Sequence, residues 1–128
     1  MSTVRVLHVD DEPDIREVVD ISLGLNPDLE VRACASGAEA VEAAAEWTPH
    51  LILLDVMMPV MDGPTVLKKL RSEPRTAAIP VIFMTARAQT KEVEHFIALG
   101  AQGVISKPFN PMTLATQVRD HLHALAHP

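Results

Sequence analysis

Short apolar runs alternate with amphipathic stretches along this chain. Val4-Arg5-Val6-Leu7-His8-Val9 is the first run, and Asp10-Asp11-Glu12 ends it. Pro13 follows; proline suits the first turn of a helix, where its missing amide hydrogen would have no partner anyway. Ile15, Val18, Val19 and Leu23 then recur at helical spacing. Leu29 to Ala33 reads as a second strand. Ser36-Gly37-Ala38-Glu39 matches a capping box and opens an alanine-rich helix through about Trp47. Leu51-Ile52-Leu53-Leu54 is a third strand, and Asp62-Gly63-Pro64 turns the chain into a helix with Val66, Leu67 and Leu70 inward. Pro80 can start a fourth strand, Val81-Ile82-Phe83-Met84, at an end where a missing donor is tolerated. Thr90 can cap a helix whose inner face is Val93, Phe96 and Ile97, with Gly100 as its stop. A fifth strand spans about Gly103 to Ser106. Asn110-Pro111 reads as a cap followed by proline at the first helical position. Leu114, Val118, Leu122 and Leu125 line the last helix, leaving Ala126-His127-Pro128 as a tail.

Strand followed by helix, repeated along the whole chain, predicts an α/β fold: a parallel sheet covered by helices on both faces. Right-handed crossovers leave few topologies for it. No linker, low-complexity stretch or second domain interrupts the pattern, so residues 1–128 read as one domain.

Chemistry gathers at the strand ends. Asp10 and Asp11 end the first strand, Asp55 the third, Thr85 the fourth and Lys107 the fifth. In an open parallel sheet those carboxyl ends share one edge, where ligands bind. Carboxylates gathered there repel one another unless a cation joins them, and oxygen-only ligation suits Mg²⁺, with Mn²⁺ as the alternative. A carboxylate can also act as a nucleophile and form an acyl phosphate. Phosphoryl transfer needs in-line positioning and cancellation of charge on the transferred oxygens. Asp10 and Asp11 can hold the metal, Lys107 can supply a second positive charge, and the Thr85 hydroxyl can bond a phosphoryl oxygen. Each residue alone has a plainer reading. Asp10-Asp11-Glu12 can cap the first helix, Asp55 can be a turn residue, Thr85 a strand end and Lys107 a solvated charge. All of them at separate strand ends make the joint accident improbable.

Composition narrows the classes. The hydrophobic fraction of 48% predicts a packed globule. The net charge of −6 argues against a nucleic-acid partner. The one cysteine, Cys34, allows no intramolecular disulfide, which fits a reducing compartment, and it reads as buried and inert. No apolar run approaches the ~18 residues of a membrane span, and the first strand begins too early to leave room for a signal peptide. A cytoplasmic protein is the expectation. His121, His123 and His127 lack the i, i+4 spacing of helical zinc ligands and read as solvated helix positions. Trp47 is expected to pack where the second helix meets the third strand. Met57, Met58 and Met61 cluster near the acids, and loop packing is the commoner explanation for them.

These residues resemble the receiver domains of two-component response regulators. The resemblance is carried by Val9-Asp10-Asp11-Glu12 and by Leu53-Leu54-Asp55-Val56-Met57-Met58-Pro59-Val60-Met61-Asp62-Gly63. It continues through Phe83-Met84-Thr85-Ala86, Gly100-Ala101 and Lys107-Pro108-Phe109, covering essentially the whole chain in order and spacing, much as in single-domain chemotaxis receivers. It implies a flavodoxin-like fold, a five-stranded parallel sheet of order 2-1-3-4-5 with five helices on both faces. It implies that Asp55 accepts a phosphoryl group from a sensor histidine kinase or a phosphotransfer protein. Asp11 and Asp55 would bind Mg²⁺ directly with the backbone carbonyl of Met57, and Asp10 would help through water. Thr85, Lys107 and the Ala86 backbone amide would bind the phosphoryl oxygens. Movement at Thr85 would reach a protein target through the face of the fourth helix, fifth strand and fifth helix. The protein would be a signalling receiver with only self-phosphorylation and self-dephosphorylation chemistry, not an enzyme, and would carry no output domain.

The sequence also departs from that family. Val104 stands where an aromatic switch residue is usual, so Thr85 and loop shifts would carry the signal. Gln102-Gly103 and Met112 replace the charged dimer contacts of many DNA-binding regulators, which favours a monomer. Three other functions compete. A Mg²⁺-dependent phosphohydrolase with an Asp nucleophile would need a second acid where Met57 stands. A nucleotide or flavin binder would want a glycine-rich phosphate loop and aromatics, but there are only five glycines and no tyrosine. A scaffold that has lost phosphorylation, or a receiver fragment of a longer regulator, is the remaining alternative.

Overall fold

The computed structural model describes residues 3–126, with side chains through residue 124. Met1, Ser2, His127 and Pro128, and the side chains of Leu125 and Ala126, lie outside the described residues. The strands are β1 (Val4–Val9), β2 (Leu29–Cys34), β3 (Leu51–Asp55), β4 (Val81–Thr85) and β5 (Gly103–Ser106). The helices are α1 (Pro13–Gly24), α2 (Gly37–Trp47), α3 (Gly63–Ser72), α4 (Thr90–Ala98) and α5 (Leu114–Ala126). The strands form one parallel sheet of order β2-β1-β3-β4-β5, as expected.

Alternation along each strand sorts the core into two layers. Leu7, Val9, Ile52, Leu54, Val81 and Phe83 pack with Ala40 and Ala44 of α2, Val66, Leu67 and Leu70 of α3, and Phe96 of α4. Val6, Leu51, Leu53, Ile82, Met84 and Ile105 pack with Val19 and Leu23 of α1 and Leu114 and Val118 of α5. Every residue of β3 and β4 is buried, so these strands read as unbroken apolar runs, the signature of strands covered on both faces.

Local chemistry moves several boundaries. β2 runs on to Cys34 and β3 to Asp55, because the ladders with β1 and β4 continue through those residues. The capping box at α2 is modified. Ser36 Oγ accepts from the Glu39 amide at 3.2 Å, but the Glu39 carboxylate accepts from Ala35, one residue before the cap. Gln89, not Thr90, is the N-cap of α4, with no side-chain bond. Ile97 is 44% exposed rather than inward; one residue beyond buried Phe96 is a rotation of about 100° around the helix. Val18 is likewise exposed. α5 begins later than Asn110-Pro111. Asn110 Oδ1 accepts from the Met112 amide and its carbonyl from Thr113, so a tight turn precedes the helix.

Gly100 does end α4. Its φ is +112°, its amide donates to Ile97, and the Ala101 amide donates to Phe96. This is the paired C-terminal bond pattern that needs a left-handed residue. Gly100→Ala should therefore lower stability by about 1–2 kcal/mol. Urea unfolding checks this, and an unchanged midpoint would refute it.

Candidate functional site

The sheet order places β1, β3, β4 and β5 side by side, and their carboxyl ends carry the expected residues. Asp10 follows β1, Asp55 ends β3, Thr85 ends β4 and Lys107 follows β5. Asp10, Asp11 and Asp55 each offer a carboxylate oxygen, and these oxygens lie within 4.8 Å of one another. Asp10 and Asp55 are buried and Asp11 is half-buried. Lys107 Nζ donates to Asp10 Oδ2 at 2.9 Å and to Asp55 Oδ1 at 3.0 Å. One ammonium thus bridges two buried acids from different strands.

The electrostatics follow from that crowding. Burial pushes the Asp55 carboxyl above its ordinary range; Lys107 pulls it back, while Asp10 and Asp11 push it further up. Burial works to lower the Lys107 pKa, but its hydrogen bonds to Asp10 and Asp55 and their charges outweigh burial and hold it above the ordinary value. The donor set is all oxygen, anionic and partly desolvated. Such a set fits a hard divalent cation better than a soft one.

The alternative that Asp10-Asp11-Glu12 merely caps α1 does not hold. The N-cap of α1 is Glu12, with no side-chain bond to the helix. Asp10 Oδ1 instead accepts from the Glu12 amide at 2.9 Å, and Arg16 donates to the Asp10 carbonyl at 2.8 Å. The turn into α1 thereby fixes the backbone of Asp10. Thr85 is buried, and its hydroxyl accepts from the Arg87 amide at 3.0 Å. Ala86 is exposed and lines the same cleft as Lys107, together with Glu12, Ile15, Val18 and Phe109. The Lys107–Pro108 peptide is cis. Met58 is buried, whereas Met57 is 78% exposed, so the three methionines do not form one packed cluster.

Three site features were not foreseen from the sequence. Gly63 lies under the phosphoacceptor candidate, where a Cβ would come within 2.7 Å of the Asp55 carbonyl oxygen and 2.9 Å of the Phe83 ring. His8 is fully buried, and neither of its ring nitrogens has a hydrogen-bond partner. Burial pushes its pKa down to about 4, with Asp10 opposing and Lys107 and Arg16 adding to the shift. His8 lies near the end of β1, two residues before Asp10, a spacing the sequence did contain. Val60 has φ of +68°, rare for a β-branched residue.

The other residues singled out take plainer places. Cys34 is buried and its thiol is pushed up to about 11 by burial, with Glu39 adding. Trp47 is half-buried beneath the Arg32 guanidinium at 4.6 Å, so it meets β2 as well as the core. His121 is not simply solvated. It is half-buried, and a Cβ on Gly103 would strike its ring. His123 is exposed.

Comparison with known proteins agrees with this geometry. The family that matches is the response regulator receiver domain, over residues 6–119. The response regulator Rre1 of Synechocystis sp. is 38% identical over 119 residues, covering 93% of this chain and 52% of Rre1. The DNA-binding response regulator MtrA of Mycolicibacterium smegmatis is 34% identical over 118 residues, covering 92% of this chain and 50% of MtrA. The chain thus spans about half the length of these relatives. Among solved structures, the chemotaxis response regulator CheY4 of Vibrio cholerae superposes with a TM-score of 0.86 at 32% identity, covering 94% of this chain and 99% of that one.

Proposed function

The chain belongs to the response regulator receiver family, and from that membership we propose that Asp55 takes a phosphoryl group from a phosphohistidine, with Mg²⁺ held beside it. The observation that carries this reading is the Lys107 ammonium bridging Asp10 and Asp55 next to Asp11. In the transfer an Asp55 carboxylate oxygen attacks phosphorus and the bond to the donor imidazole nitrogen breaks. The product is an acyl phosphate on Asp55. Asp10, Asp11, Asp55 and the Met57 carbonyl would hold Mg²⁺, which when bound supplies neutralisation of the phosphoryl charge. Lys107 moves its hydrogen bond from the Asp55 carboxylate to a phosphoryl oxygen. The Thr85 hydroxyl exchanges its bond with Arg87 for one to the phosphoryl group, and the Ala86 amide donates to another oxygen. Hydrolysis of the acyl phosphate by water reverses the state. The chain then acts as a timed switch and not as an enzyme on an outside substrate.

The phosphodonor is a sensor histidine kinase or a phosphotransfer protein. It would cover the cleft of about 380 Å³ between α1 and the Lys107–Pro111 segment. A protein target would read the face of α4, β5 and α5, where loop movement from Thr85 arrives next to Val104. In this reading residues 1–128 act as one receiver domain, as a monomer in the cytoplasm, without nucleic acid or membrane. The net charge of −6 supports that, and no described helix is long and apolar enough to cross a membrane.

Incubation with a small phosphodonor and Mg²⁺ should add one phosphoryl group, seen by intact mass. Chelation of the metal should prevent it, and Asp55→Asn should abolish it. Equal labelling of Asp55→Asn would remove Asp55 as the acceptor.

A further inference from the structure

We infer that the His121 imidazole is a proton-sensitive wedge that seats α5 on β5, in the niche that Gly103 leaves by having no side chain. The seating stands on geometry alone; its effect on a target rests on the face of α4, β5 and α5 proposed above. Consecutive strand residues point to opposite sides of a sheet. Val104 packs with the layer that holds α2, α3 and α4, and Ile105 with the layer that holds α1 and α5. Gly103 therefore points to α5. It is buried there, and a Cβ on it would come within 2.7 Å of His121 Nδ1 and 3.2 Å of Nε2, and nearer still to Cε1. Three atoms of the ring thus lie against bare backbone. Glycine inside a strand weakens it and marks a place where another group comes close. Here that group is an imidazole.

The rest of α5 is held by other means. Ser22 Oγ donates to the Pro111 carbonyl just before the helix, and Arg119 donates to Asn26 and Asp28. Both ties run to α1 and the turn after it, and neither reaches β5. Leu114, Val118 and His121 follow one another at i, i+4 and i+7, the spacing of one helix face. The face that begins with two fully buried apolar side chains ends on a half-buried, titratable ring. Burial holds the His121 pKa below 6.5, and Asp120, its neighbour on α5, is the charge that opposes this. β5 and β4 carry no ionisable side chain. α4 packs on the other side of the sheet, and on the α1 side Arg119 and Asp28 pair with each other at 2.6 Å. A proton on His121 therefore puts a charge into a niche with no acid on the strand side, and such a charge costs free energy until it reaches water. The ring leaves the niche to be hydrated. α5 then loses this contact with β5, next to Val104.

Two measurements test the wedge. Gly103→Ala should lower the melting temperature of the wild-type chain, because the added methyl expels the ring. In a His121→Ala chain the same substitution should raise it, because the methyl fills the emptied niche and alanine suits a strand better than glycine. A Gly103→Ala chain that folds only when His121 is also replaced gives the same answer. An effect of one sign in both backgrounds overturns the inference. Imidazole and amide signals followed from pH ~7.5 to pH ~5 then test the proton. The wild-type α5 amides should move with the His121 ring as it titrates below 6.5. In Gly103→Ala the ring is already in solvent, so it should titrate near 6.5 without moving them. α5 amides that ignore the wild-type titration, or that follow it equally in Gly103→Ala, overturn the wedge. No phosphodonor enters either measurement, so a failure of the function proposed above would show separately, as absent labelling of Asp55.

Discussion

Lys107→Met should lose about 3 kcal/mol of stability in metal-free buffer and regain most of it when Mg²⁺ is added in excess. The reason is the arrangement of charge. Asp10 is fully buried and Asp55 nearly so, and Lys107 is the cation within hydrogen-bond distance of both. Methionine keeps most of the length and apolar stem of lysine but carries no charge. Two carboxylates would then face each other, and Asp11, without an ammonium between them. Removing one partner of a buried pair commonly costs ~3–5 kcal/mol. The lower end applies here, because the Lys107 side chain keeps 16% exposure.

The metal should reverse this loss, because it supplies charge to the same oxygens. Mg²⁺ affinity should rise in Lys107→Met, since the competing ammonium is gone, while phosphorylation by a small phosphodonor should slow. A purely structural lysine would show neither the cation-specific rescue nor this split. The sign of the pH dependence also follows. Lys107 is held above its ordinary pKa of 10.5, so its contribution is complete below that value and fades only as pH rises past the folded-state pKa. The lysine's own contribution is therefore complete through the neutral range, whereas in Lys107→Met the Asp55 carboxyl loses the ammonium that pulls its pKa down, so the gap between the two proteins should narrow as pH falls. Urea unfolding with chelator and with Mg²⁺ measures the effect. Equal midpoints in metal-free buffer would mean that the bridge contributes nothing.

The sequence revealed the strands and the strand-end chemistry because both are local. Leu51-Ile52-Leu53-Leu54 before Asp55 and Val81-Ile82-Phe83-Met84 before Thr85 are apolar runs long enough to announce buried strands. Gly100 announced the end of α4 because few residues accept its φ. Long-range relations were not legible. Lys107 reaches Asp10 across 97 positions and Asp55 across 52, and no spacing rule says that one ammonium will satisfy both. Gly63 reads as a turn residue in the sequence, whereas its second role, leaving room beside the Asp55 carbonyl, needs coordinates. Val60 was hidden for the opposite reason. Its β-branched side chain disfavours the positive φ that it adopts, so local propensity points away from the truth there. α5 starts late because a tight turn at Asn110, whose side chain accepts from Met112 and whose carbonyl accepts from Thr113, comes first, and in the sequence such a turn looks the same as a helix cap.

His8 should make the protein acid-labile well above the range where carboxylates titrate. Its imidazole is fully buried with no hydrogen-bond partner on either nitrogen. Burial holds its folded-state pKa at about 4, against 6.5 for an ordinary histidine. The unfolded chain therefore takes up a proton as pH falls through 6.5, and the folded chain does not until about 4. Stability is present in full above the higher value and is lost across that window. Linkage puts the loss at about 3 kcal/mol by pH ~4, with about 2 kcal/mol of it already gone at pH ~5. Asp55 works the other way. Its raised folded-state pKa means that protonation relieves a charge that costs stability, so acidification favours the fold at that residue. His8→Val isolates the histidine. Valine suits a buried parallel strand and leaves no unpaired nitrogen, so the variant should be more stable than the wild type at pH ~7.5 by about 1–2 kcal/mol. The gap should widen toward pH ~5, as only the wild type continues to lose stability to histidine protonation. Urea unfolding of both proteins across this range, in chelator, gives the two curves. Parallel curves would show that another group sets the acid sensitivity. A variant less stable than the wild type at neutral pH would show that the imidazole makes a buried contact worth more than its two unpaired nitrogens cost.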